Sequence, residues 1–103
     1  NKLGVSITAP DLSEWGMMMI GSRLLGTKEG PLAQFIYEDI NGGRVSLTLR
    51  RHLVNQPTLP FQVANYPNRT VGYWSTSEVD YAFVGDNDAA TMQSLAQGLT
   101  ARN

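Results

Sequence analysis

VGYWSTSEVDYAFVG, residues 71–85, runs straight into DNDAATMQSLAQGL, residues 86–99, and this stretch decides the fold. Its first half alternates aromatic or β-branched residues with polar ones, the two-residue period of a half-buried strand. Thr76-Ser77 interrupts the alternation, which reads as a hairpin between Thr70–Trp74 and Val79–Val84. The hairpin is expected to set Trp74 beside Val79, an aromatic and β-branched pair. The period then changes. Met92, Leu95, Ala96 and Leu99 recur at helical spacing, with Gln93, Ser94 and Gln97 on the polar side. Asp86 precedes them as an N-cap. A hairpin feeding an amphipathic helix predicts a sheet with that helix packed on one face.

Working outward, a second hairpin lies upstream. Gln34–Glu38 and Val45–Leu49 flank Asn41-Gly42-Gly43. A two-residue Asn41-Gly42 loop sets Phe35 and Tyr37 beside Ser46 and Thr48. A three-residue loop with Gly43 left-handed sets them beside Leu47 and Leu49. The second register gathers Phe35, Tyr37, Val45, Leu47 and Leu49 on one side and is preferred. Pro10–Trp15 reads as one helical turn ended by Gly16, after an extended lead-in, Asn1–Ala9. Met17–Leu25 reads as a strand with a bulge at Gly21. Gly26–Pro31 is a turn by composition. Arg50–Pro60 is a loop, because Pro57 and Pro60 break any strand there, and Phe61–Tyr66 is a short strand. The expected fold is α+β: about five mainly antiparallel strands, a C-terminal helix on one face and a short N-terminal helical turn.

The chain has 103 residues, a length for a single domain, 1–103. Apolar residues make up 42% and charged residues 17%, which suits a folded domain rather than a disordered one. The net charge of −1 argues against a nucleic-acid partner. There is no cysteine, so disulfides and thiolate metal sites are excluded. No apolar run approaches the ~20 residues of a membrane helix. The first residue is Asn rather than Met, so the chain is read as a fragment of a longer protein.

Few residues suggest chemistry. His52, the only histidine, makes a hydrolytic set with Ser46 or Asp39 only on paper; nothing marks a nucleophile, and a polar strand end is the plainer reading. Met17 and Met19 share a strand face, as thioether ligands of Cu(I) do, but Met18 and Ile20 continue the apolar run and favour core packing. Asp86-Asn87-Asp88 offers oxygen donors, yet lacks the spacing of a calcium loop and is read as helix capping. Arg50-Arg51-His52 is a small basic strand end. Tyr66, Tyr73, Trp74 and Tyr81 are the candidate interaction surface, an aromatic face on the sheet. No catalytic, cofactor or metal residue is assigned, and the chain is read as no enzyme.

Three segments carry a family resemblance: PDLSEWGMMMIGSRLL, QFIYEDINGGRVSLTLR and YWSTSEVDYAFVGDNDAATMQSLAQGL. Together they resemble the C-terminal extracytoplasmic domain of bacterial transmembrane anti-sigma factors. Pro10, Asp11, Leu12, Gly16, Gly21, Arg23, Leu24 and Leu25 carry the first segment. Gln34, Phe35, Tyr37, Asp39, Gly43, Arg44, Leu47 and Thr48 carry the second. Trp74, Tyr81, Ala82, Gly85, Leu95 and Ala96 carry the third. None of these motifs is catalytic. The resemblance implies a periplasmic sensor or regulatory domain of an inner-membrane protein. Its parent would hold an extracytoplasmic-function sigma factor through a cytoplasmic domain and cross the membrane once, both outside this chain. A periplasmic protein or protease is the implied partner, with Arg50–Pro60 as a segment that shields or exposes a cleavage site. No zinc ligand carries over. The reading that competes with it is a stand-alone small-ligand-binding domain using the aromatic face.

Overall fold

The computed structural model describes residues 9–86 and 93–98. The described chain is a six-stranded, wholly antiparallel sheet with a small helical share. The strands are β1 (Met17–Thr27), β2 (Gly30–Asp39), β3 (Arg44–Arg51), β4 (Gln62–Tyr66), β5 (Arg69–Ser75) and β6 (Val79–Gly85). A 3₁₀ turn, Ser13–Trp15, precedes β1, and residues 93–98 form a helix, α1. The count is six strands rather than about five. The Gly26–Pro31 turn shrinks to Lys28-Glu29, because β1 and β2 continue to a Thr27–Gly30 pair.

The strand order is β1-β2-β3-β6-β5-β4. Two three-stranded meanders therefore meet at the β3–β6 pair, and the chain between β3 and β4 must pass the ends of β6 and β5. Opposed residues share a face in an antiparallel ladder. Tyr37, Val45, Leu47, Leu49, Phe83 and Trp74 fall on one face and form the core. Leu12, from beside the 3₁₀ turn, and Leu95 and Ala96 of α1 cover it. Leu47, Phe83 and Leu95 are completely buried. Gln93, Ser94 and Gln97 are exposed, as the helical stripe predicts. Trp15 is set against α1: its Nε1 donates to Ser94 Oγ at 3.2 Å, and its ring fills the space a side chain at Gly98 would need. The cap at Asp86 and the stripe positions Met92 and Leu99 depend on residues 87–92 and 99–103, outside the described residues, as is most of the Asn1–Ala9 lead-in.

Two hairpin registers differ from expectation by two residues each, while the faces are as expected. Phe35 pairs with Leu47 and Tyr37 with Val45. The three-residue loop is Ile40-Asn41-Gly42, and Gly42 rather than Gly43 takes the left-handed conformation (φ 85°). Asp39 sets this turn: its Oδ1 accepts from the amides of Asn41 and Gly43, both at 2.8 Å. A Cβ on Gly43 would lie 2.7 Å from Asp39 Oδ2, so a larger residue there would push on the carboxylate that closes the turn. In the other hairpin Trp74 pairs with Tyr81, not Val79. Thr76 Oγ1 accepts from the amides of Glu78 and Val79, which moves the turn to Ser77-Glu78. The bulge in β1 lies between Met19 and Gly21, so Ile20 is the extra residue beside the expected Gly21.

Candidate functional site

The face opposite the core is half-open. Alternation places Leu32, Thr48, Arg50, Asp80, Ala82 and Tyr73 on it, and the 52–61 connection crosses its upper end. Sheet and connection enclose an open cleft of ≈ 620 Å³. That size suits a small-molecule site, about 300–1,000 Å³. Leu32, Leu53, Pro57, Leu59, Ala82 and Tyr73 give it an apolar lining, and Tyr73 donates its hydroxyl to Gln62 Oε1 at 3.1 Å.

One rim is charged. Arg50 and Asp80 are opposed across β3 and β6, and Arg50 Nε donates to Asp80 Oδ2 at 3.1 Å. Arg50 also reaches Glu29 Oε1 at 3.5 Å. The second Asp80 oxygen lies 2.6 Å from His52 Nδ1, and His52 Nε2 lies 2.8 Å from the Gln56 carbonyl oxygen. A carboxylate and a carbonyl only accept, so the arrangement favours the imidazolium form, in which both ring nitrogens donate. The hydrogen bond to Asp80 raises the His52 pKa above its usual value and the Gln56 carbonyl adds to this; desolvation and Arg50 oppose them. The imidazole therefore ties the connection to the sheet at Gln56. The far end of the connection is tied by a reciprocal pair, Leu59 N–H to Ser75 Oγ at 2.6 Å and Ser75 N–H to the Leu59 carbonyl at 3.0 Å.

Both ring nitrogens of His52 are engaged within the protein, one with Asp80 and one with the Gln56 carbonyl. The fold does not assemble the set drawn from sequence. Ser46 is six residues before His52 along β3, about 20 Å of extended chain, and Asp39 sits in the turn at the opposite end of the sheet. Met17 is buried in the core, while Met19 is exposed at the sheet edge. Among the described residues no group of three or more His, Cys, Asp or Glu side chains is placed to hold a metal ion, and no helix is long and apolar enough to cross a membrane.

The four candidate aromatics do not form one surface. Trp74 is buried and stacks on Tyr81 with ring centroids 4.8 Å apart and planes 3° from parallel. Burial, then the charge of Glu78, raises the Tyr81 pKa. Both residues belong to the core side yet border the cleft; Tyr73 reaches it from the open face. Tyr66 is exposed away from the cleft, with the Arg69 guanidinium 5.5 Å from its ring centre. Asp80, Gln56 and Glu29 escape a sequence reading, since Asp80 meets His52 only through the long-range β3–β6 register. The usable signal is the polar alternation Ser46-Thr48-Arg50, which marks a second face with its own partners. No family model, curated protein or solved structure matches this chain.

Proposed function

We propose that this chain is a non-catalytic receiving domain: a periplasmic sensor or regulatory module of a transmembrane anti-sigma factor. The observation that supports it best is the cleft on the open face, walled by a connection that one imidazole and one hydroxyl tie down. The titratable groups at its rim are engaged with one another, as in a latch. The motif residues quoted for the resemblance, among them Leu12, Tyr37, Leu47, Trp74 and Leu95, are spent on the core. A ligand or partner that binds one position of the 52–61 connection better than another shifts its population by that difference in affinity, which is sufficient for signalling without chemistry.

The test uses the full-length encoded protein in membranes. Ala82→Trp fills the cleft from the sheet side and leaves the core face untouched. The expected result is altered proteolysis of the full-length protein and altered sigma-dependent transcription, in the same direction as deletion of the domain. Unchanged proteolysis and transcription after deletion would falsify the regulatory reading. In that case Tyr73 in the cleft favours the stand-alone ligand-binding domain, for which a thermal-shift screen should find a small molecule whose stabilisation Ala82→Trp removes.

A further inference from the structure

The sheet has two edges, and they are built differently. β4 is five residues long and lies between Pro60 and Pro67, a short and guarded edge. β1 is eleven residues long, has no proline and carries one charge, Arg23. Nine large hydrophobic side chains are exposed among the described residues, and five of them lie on β1: Met18, Met19, Ile20, Leu24 and Leu25. Met18 is 72% exposed. No strand lies beside β1 on its outer side among the described residues, so its outward amides and carbonyls are offered to another strand.

We propose that β1 pairs antiparallel with β1 of a second copy, about a twofold axis through Ser22, joining two sheets into one. The occupant follows from the faces. Met19, Ser22 and Leu24 lie opposite Tyr37, Phe35 and Ala33, on the core side; Met18, Gly21, Arg23 and Leu25 lie opposite Glu38, Ile36, Gln34 and Leu32, on the other. Ile20 is the bulge residue. Pairing about Ser22 sets Ser22 against its copy and Gly21 against Arg23. Beyond the bulge it sets Met19 against Leu24 on one face and Met18 against Leu25 on the other. Met18, Met19, Leu24 and Leu25, four of the five exposed apolar residues of β1, each meet an apolar residue on their own face in this register, and the two arginines do not oppose each other. Arg23 is also drawn inward, its Nε donating to Gln34 Oε1 at 2.8 Å. An unrelated extended segment would satisfy the backbone row, but only a second copy supplies this reciprocal match. One strand pair belongs to the small, transient class of interfaces, below about 1,200 Å².

Sedimentation equilibrium of the 103-residue chain tests it. The mass should rise from 11.3 kDa toward twice that value with concentration, with a midpoint of roughly 10–500 µM. Met18→Lys with Leu25→Lys sets like charges opposite each other and should weaken the dimer by at least about tenfold. Met18→Lys with Leu25→Glu should restore it, because only this register opposes those positions. The chain has no cysteine, so Ser22→Cys should cross-link under mild oxidation far faster than Ser13→Cys, off the strand. Melting curves of the variants establish that each is folded. A chain monomeric throughout, a dimer indifferent to the lysine pair, or equal cross-linking at the two positions each overturns the proposal.

Discussion

The two faces of this one sheet are made by alternate residues of the same strands, yet they are held by different physics. On the core face Leu47, Phe83 and Leu95 are sealed under the N-terminal turn and α1, and aromatic rings pack against one another: Trp74 lies 4.8 Å from Tyr81 and 5.6 Å from Phe83. On the open face the contacts are hydrogen bonds and ion pairs, from Arg23–Gln34 to Arg50–Asp80–His52, around an unfilled cleft. Burial stabilises by area and leaves nothing to adjust, whereas a partly solvated ion pair contributes little, about 0–1 kcal/mol. Stability therefore belongs to one face, and adjustable geometry is free to belong to the other.

Neighbouring substitutions on β6 test this division most severely. Phe83→Ala removes a fully buried ring and should cost about 3–5 kcal/mol. Val84→Ala, one residue on and facing the other way, should cost about 1 kcal/mol or less. Urea denaturation measures both, and near-equal losses would abolish the distinction. At the cover of the core face, Gly98→Ala should cost about 1–3 kcal/mol although alanine is the better helix former, because its methyl would occupy the Trp15 ring position. A gain in stability would mean that α1 and Trp15 are not packed as described. A smaller effect follows at Tyr37, whose hydroxyl donates to the Pro10 carbonyl at 2.8 Å. Tyr37→Phe should cost about 0.5–1.5 kcal/mol. Burial, aided by the charge of Asp11, pushes the Tyr37 pKa up to about 12 from 10.0. The unfolded chain ionises first, so this contribution is present below pH 10 and fades as pH rises toward 12. The phenylalanine variant should show a flatter stability curve over that range.

The same division explains what could be read from the sequence. Alternation reports which face a residue takes, so Phe35, Tyr37, Val45, Leu47 and Leu49 were assignable to one side. It does not report how far a strand slides in steps of two, since every such slide preserves the faces. Both hairpins lie one such step from the register that apolar pairing alone favours. What fixes them is a side chain bonding to the backbone of its own turn: Asp39 to Asn41 and Gly43, Thr76 to Glu78 and Val79. An Asp followed by two glycines within four residues is a legible Asx-turn signal, and it outweighs the count of apolar pairs. The site was less legible than the fold. His52 and Asp80 are 28 residues apart and meet through a ladder that no local pattern encodes. Aromatic content pointed toward the cleft, because Tyr73, Trp74 and Tyr81 border it, but the aromatics are divided between core and cleft rather than gathered on one surface.

The weakest expected effect is the most informative about the open face. As imidazolium, His52 donates from both ring nitrogens, to Asp80 and to the Gln56 carbonyl, and its backbone amide donates to the Glu78 carbonyl. The charged groups around it are Asp80, which favours the proton, and Arg50, which opposes it. A histidine whose folded pKa lies above the ordinary 6.5 contributes stability that is complete below pH 6.5 and is lost as pH rises through the folded value. Above that value one nitrogen becomes an acceptor facing an acceptor. Asp80 is the stronger partner, so the Gln56 contact should fail first and free the connection at Leu53–Pro57 while the sheet stays intact. Hydrogen exchange corrected for intrinsic rates should then show the amide of Gln56 opening more often at higher pH, with Leu59, tied to Ser75, and Phe83 unchanged. The His52→Gln chain should show open-type exchange at every pH. An NMR titration placing His52 at or below 6.5, or a pH dependence that survives in His52→Gln, would remove the latch and leave the cleft wall held by Ser75 alone.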